Sequence, residues 1–110
     1  MKLKLIKLNS VSSTNNIAIK LIRQKKFNPS IITAKKQRRG RGTRGKKWFS
    51  KKNNLFISIY FEVNSKNLRI DQFALFNPHI IKSILSKYTK KKIDIKRPND
   101  LLINKDKISG

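Results

Sequence analysis

Between Leu55 and Val63 every second residue is apolar: Leu55, Ile57, Ile59, Phe61 and Val63. A period of two puts all five on one face of an extended strand and Ser58 and Glu62 on the other. A strand needs hydrogen-bonded neighbours, and the sequence offers several. Residues 3–8 alternate charge with apolar side chains and predict a strand whose lysines mark it as a sheet edge. Ile31-Ile32-Thr33, within 30–36, is a β-branched run typical of another. Ile93 and Ile95 alternate with Asp94 and Lys96 in a strand that breaks at Pro98. Asp100-Leu101-Leu102-Ile103 starts a further one, which turns at Asn104-Lys105-Asp106.

Two stretches carry the helical period instead. Ile17, Ala18, Leu21 and Ile22 share one face of a helix over about 14–26. The preceding Ser10-Val11-Ser12-Ser13-Thr14-Asn15 is a polar stretch rich in capping residues, and Phe27-Asn28-Pro29 ends the helix. Asp71 can cap a second helix reaching about Tyr88, with Phe73, Phe76, Ile80, Ile84 and Leu85 toward the core. Pro78 should kink this helix or mark its true start. From Gln37 to Lys47 no side chain is apolar, which predicts a long exposed loop. The order β-α-β-loop-β-α-β-β describes an α+β domain on a mixed or antiparallel sheet. A length of 110 residues suits one domain with a modest core.

The charge balance decides which functions to weigh. Lys and Arg total 28 against 5 Asp and Glu, a net charge of +23 that raises a nucleic-acid reading. Most of these cations are lysines scattered along a chain rich in Lys, Ile and Asn, the bias of an A+T-rich coding sequence. Such lysines form a solvated surface. The arginines are different, because Arg38, Arg39, Arg41 and Arg44 crowd beside Gly40, Gly42 and Gly45. An anion is expected there. With 0 Cys and 1 His, disulfides and Cys/His metal clusters are excluded, and His79 takes no role. The Met1–Lys7 segment has no continuous apolar run, so no secretory leader is expected, and no run is long enough to span a membrane. A cytoplasmic chain is the expectation.

Four segments bear chemistry. In Gln37-Arg38-Arg39-Gly40-Arg41-Gly42-Thr43-Arg44-Gly45-Lys46-Lys47-Trp48, glycines expose backbone N–H groups and guanidinium groups can surround phosphate or carboxylate oxygens. Trp48, the single tryptophan, offers a flat surface for a ring. The spacing is not that of the common phosphate loop, G-x-x-x-x-G-K-[ST]. Lys96-Arg97-Pro98-Asn99-Asp100 follows a strand and can hold a cation at a fixed point; a plain capped surface turn is the simpler reading. Ser13-Thr14-Asn15 suits a helix cap. Lys107-Ile108-Ser109-Gly110 says nothing by itself.

Taken in order, these four segments resemble the signature of biotin–protein ligases, over about Ser10 to Gly110. The resemblance implies the α+β fold of the biotin/lipoate ligase catalytic domain and a two-step reaction: biotin is adenylated by ATP, then passed to a lysine of a biotin carboxyl carrier domain. It assigns Ser13, Thr14, Asn15 and Gln37 to biotin. Arg41, with Lys96, would hold its carboxylate. Gly40, Gly42, Arg44, Trp48, Asn99 and Asp100 would serve the nucleotide. Lys96, Arg41 and Arg44 would carry the catalysis, Lys96 foremost, by stabilising charge where two anions meet. Mg2+ is implied by the family alone, and no protein metal ligand is assigned.

The sequence departs from the family pattern in three places. Position 43 is Thr where an arginine is frequent, and position 97 is Arg where a tryptophan is common. The chain also stops at Gly110, where the family continues into further strands and often a β-barrel domain. Residues 1–110 are thus expected to be the first part of a catalytic domain, without a DNA-binding winged helix. An incomplete sheet would expose an edge and apolar surface, completed by more chain or by a partner. Three other readings compete: a lipoate or octanoate ligase relative, an inert remnant, and a basic nucleic-acid module with steeply salt-dependent binding.

Overall fold

The computed structural model describes residues 2–64, 66 and 69–110, so the first residue of the Met1–Lys7 segment lies outside them. The chain divides into two compact units, Met1–Val63 and Asn64–Gly110.

In the first unit, β1 (Lys4–Val11) leads through α1 (Thr14–Arg23) to β2 (Ser30–Gln37), which lies parallel to β1. β5 (Phe56–Tyr60) pairs antiparallel with β2, giving a mixed sheet of order β1-β2-β5. β1 is an edge strand, as its lysines predict. Ser30, Ile32 and Ala34 lie opposite Tyr60, Ser58 and Phe56, and on this face Ser30, Ile32, Ala34 and Phe56 are buried. The isoleucine face of β5 is the open one: Ile57 and Ile59 are 45% and 53% exposed, against 5% for Phe56. The conspicuous alternation therefore marks the strand, while the aromatic that precedes the isoleucines fills the core. α1 contributes buried Thr14 and Ala18, and Tyr60 Oη donates to the Lys26 carbonyl at 3.1 Å.

The segment expected to be a long loop is folded. β3 (Gly40–Arg41) pairs with β4 (Lys47–Trp48), and a single tight turn over Thr43–Gly45 joins them. Lys46 N donates to Thr43 O, and Gly42 N to Lys46 O, at 3.2 and 2.8 Å. Arg44 and Gly45 have φ of 56° and 73°, the paired left-handed residues of the tight turn that matches strand twist. Backbone hydrogen bonding supplies the order that apolar side chains do not.

The second unit holds α2 (Ile70–Leu85) and an antiparallel sheet of β6 (Asp94–Lys96), β7 (Asp100–Ile103) and β8 (Asp106–Ser109). Asp71 does not cap α2: the cap position is Arg69, and Asp71 in the first turn pairs with it at 2.8 Å. The helix runs through Pro78, which is buried. Asn104 and Lys105, with φ of 51° and 70°, make the two-residue turn between β7 and β8. Pro78, Ile93 and Leu101 form the buried centre, while Phe76, Ile80 and Ile84 of α2 remain exposed. Among the described residues no helix is long and apolar enough to cross a membrane.

Candidate functional site

The first four N–H groups of a helix have no partner within it. In α1 two of them are met in different ways. Ser13 Oγ accepts from Asn16 N at 2.9 Å, an ordinary cap. Gln37 Oε1, from the far end of β2, accepts from Thr14 N at 2.9 Å. The helix start and the strand end are thus fastened together across 23 residues of sequence. Parallel pairing of β1 with β2 brings them there, with Val11 opposite Gln37.

A polar chain grows from that junction. Ser58 Oγ donates to Thr14 Oγ1 at 2.8 Å, and Thr14 Oγ1 reaches Gln37 Oε1 at 3.3 Å. Gln37 Nε2 donates to Ser50 Oγ at 2.9 Å. Ser13 and Thr14 are almost fully buried, and no buried side-chain polar atom among the described residues lacks a partner. A satisfied network of this kind holds its members in one geometry.

The hairpin is seated on this network. A Cβ at Gly40 would lie 2.7 Å from Ser50 Oγ, 2.8 Å from Trp48 O and 2.9 Å from Gln37 Nε2, so only glycine lets β3 approach so closely. Arg38 is tied back to Ser10 Oγ at 2.6 Å. Arg41 donates through Nη1 to Asn16 Oδ1 at 2.9 Å and borders an open depression with Asn16, Ile19, Lys20, Arg23 and Gln24. Arg44 stands exposed at the turn, beside Thr43. Trp48, half-buried, pairs with Gly40.

Ser13, Thr14, Gln37, Gly40, Gly42, Arg41, Arg44 and Trp48 therefore all belong to α1, β2 and the hairpin of the first unit. Ser13 and Gln37 have structural hydrogen bonds, while Asn15 is exposed on the first turn of α1. Lys96, Asn99 and Asp100 belong to the second unit, at the turn joining β6 and β7, where the Arg97–Pro98 peptide is cis. Lys96 is exposed and lies opposite Asp100, whose carboxylate is 3.0 Å from Lys107 Nζ. Arg97, which departs from the tryptophan common in the pattern this segment resembles, is exposed. Among the described residues no group of three His, Cys, Asp or Glu could hold a metal. With Asp100 already paired to Lys107, a protein-held Mg2+ does not fit these residues.

Sequence reasoning missed Asn16, Ser50 and Ser58. Ser58 had a signal, since it interrupts the face that carries Phe56. Asn16 had one too, at the third helical position after a Ser cap, where Glu or Gln is usual.

Fold and site together define an α+β chain in which a glycine-arginine hairpin is clamped onto a buried hydroxyl–amide network. A sequence profile described as the Biotin/lipoate A/B protein ligase family matches residues 8–110. The chain belongs to that family. The bifunctional ligase/repressor BirA of Escherichia coli K12 is 31% identical over 101 residues, 91% of this chain and 31% of that protein. The biotin acetyl coenzyme A carboxylase synthetase of Helicobacter pylori, solved with bound biotinylated ATP, superposes with a TM-score of 0.86 at 27% identity. That match covers 97% of this chain and 52% of the other. The Aquifex aeolicus biotin protein ligase, in complex with biotin and ATP, has a TM-score of 0.75 at 29% identity over 96% of this chain and 44% of its own. The chain thus spans about half of these solved relatives or less, and its α+β fold is theirs.

Proposed function

We propose that this chain carries the biotin- and nucleotide-handling residues of a biotin–protein ligase catalytic domain. The supporting observation is the hairpin seated on the Thr14–Gln37–Ser50–Ser58 network, in a chain whose relatives of known structure were solved with biotinylated ATP or with biotin and ATP. In the first step an oxygen of the biotin carboxylate attacks the α-phosphorus of ATP. The bond to pyrophosphate breaks, and biotinyl-adenylate forms. In the second, a lysine amine of a carrier domain attacks the acyl carbon, AMP leaves, and an amide results.

Both partners of the first step are anionic, so fixed positive charge lowers its barrier. Arg41 and Arg44 are assigned to the carboxylate and phosphate oxygens, with the backbone of Gly40 and Gly42. Ser13, Thr14, Asn15 and Gln37 are assigned to the biotin ring and its surroundings, Trp48 to the adenine. In the second unit, Lys96 is assigned to the biotin carboxylate and α-phosphate, and Asn99 and Asp100 to the nucleotide. Mg2+ would enter as the counter-ion of the triphosphate, and the acceptor would be a carrier domain met in the cytoplasm.

The test is exchange of labelled pyrophosphate into ATP by the purified chain. Exchange with biotin and not with lipoate is expected, lost in Lys96→Ala. Exchange with lipoate alone would move the chain to the other branch of its family. A folded sample that exchanges with neither would overturn the activity of these residues on their own.

A further inference from the structure

We infer that Asn16 is the positioning residue that presents Arg41 to an anion with its charge intact. The inference deepens the reading of Arg41 given above, and it rests on the geometry at the start of α1. Asn16 is fixed three times: its N–H by Ser13 Oγ at 2.9 Å, its Nδ2 by Ser12 Oγ at 3.4 Å, and its Oδ1 by Arg41 Nη1 at 2.9 Å. The Ser13 contact fixes the Asn16 backbone, and the Ser12 contact to Nδ2 leaves Oδ1 facing the arginine. The hairpin is thereby tied to the helix by a neutral acceptor.

The choice of an amide has a chemical consequence. A carboxylate would hold a guanidinium more strongly, and would also cancel its charge. The third position of a serine-capped helix usually holds Glu or Gln, and of these the helix dipole favours the acid. α1 has no acid anywhere in its first turn. The cations that border the depression with Arg41 are Lys20 and Arg23, and no carboxylate among the described residues lines it. Arg41 is therefore held in place and left electrostatically unmatched, which suits a residue that must receive biotin's carboxylate or the adenylate phosphate.

The residue can be tested by separating geometry from charge. Asn16→Asp keeps the shape and an acceptor for Arg41, and should fold at least as well because it suits the helix terminus. Asn16→Gln lengthens the amide without charging it. The probe is a stable biotinyl-adenylate analogue in which a sulfamate replaces the acyl phosphate. Binding should weaken about tenfold or more in Asn16→Asp, the size expected when a charge-assisted contact is neutralised. Asn16→Gln should stay within about threefold of the parent, a loss under 1 kcal/mol. In an Arg41→Met background Asn16→Asp should add almost nothing, because the two act through one contact.

Parent-like affinity in Asn16→Asp, with Arg41→Met weakened, would overturn the inference and leave the anion role of Arg41 standing. Equal affinity of Arg41→Met and parent would instead remove that role. A second arm needs no ligand: the Arg41 side-chain NMR signals should shift in Asn16→Ala. Unshifted signals would show that Asn16 does not hold the guanidinium, and would sink the proposal even if the chain bound no probe.

Discussion

Gly40 is the position at which backbone and side chains of the site meet most closely. A methyl group there would press on Ser50 Oγ, the Trp48 carbonyl and Gln37 Nε2 together, all within 2.9 Å. Two of these neighbours are tied to each other by the Gln37–Ser50 hydrogen bond at 2.9 Å, and the third is backbone. None gives way cheaply. Gly40→Ala is expected to cost about 1–3 kcal/mol, the range for overfilling a packed position. Urea denaturation would measure it, and a loss under about 0.5 kcal/mol would mean the hairpin shifts freely. The glycine, the arginines and Gln37 were legible in the sequence, because they fall in one short motif. Ser58 was not joined to Thr14, 44 residues away, nor Ser50 to Gln37, because no local pattern encodes contacts that strand pairing creates.

Among the elements, the β3–β4 hairpin is the one whose existence the sequence concealed. Alternation of apolar residues made β1, β5 and β6 legible, a β-branched run marked β2, and a short apolar run marked β7. β3 and β4 are two residues each and bury little, so their order comes from backbone bonds and turn geometry. That turn sets two residues against each other. Gly45 has φ of 73°, and a Cβ added there would meet nothing within 4 Å, so Gly45→Ala faces only backbone strain. Arg44 already bears the same strain at φ 56°. Arg44→Gly should therefore firm the turn by about 1 kcal/mol, and Gly45→Ala should loosen it by a similar amount. Hydrogen exchange at Gly42 N and Lys46 N reads this directly, since both amides close the hairpin. Slower exchange in Arg44→Gly together with weaker anion binding would mean that a strained arginine is kept for its charge. Faster exchange would mean that the arginine side chain itself holds the turn.

At the scale of the whole molecule the dominant fact is charge. Of 28 basic residues, only Arg69, Lys92 and Lys107 form ion pairs among the described residues, each with side chains that remain partly exposed. Such pairs contribute at most about 1 kcal/mol each, so self-repulsion of the remaining cations is largely unopposed. Salt should screen it, and Tm should rise by several degrees between about 10 and 300 mM NaCl, as the Debye length falls below about 10 Å. This general effect must be distinguished from a specific anion site. At equal ionic strength, pyrophosphate should raise Tm beyond NaCl only if it binds the folded chain preferentially. With a Kd of about 1 mM, 10 mM pyrophosphate would add about 1.4 kcal/mol. That excess is expected in the parent and should vanish in Arg41→Met/Arg44→Met, which removes just two of the 28 positive charges. If the double variant keeps the full excess, anions are drawn by the lysine-rich surface as a whole, and the arginine hairpin has no privileged claim on them. If it loses the excess while its NaCl response is nearly unchanged, the scattered lysines and the clustered arginines do different things: one sets a background potential, the other fixes an anion in place.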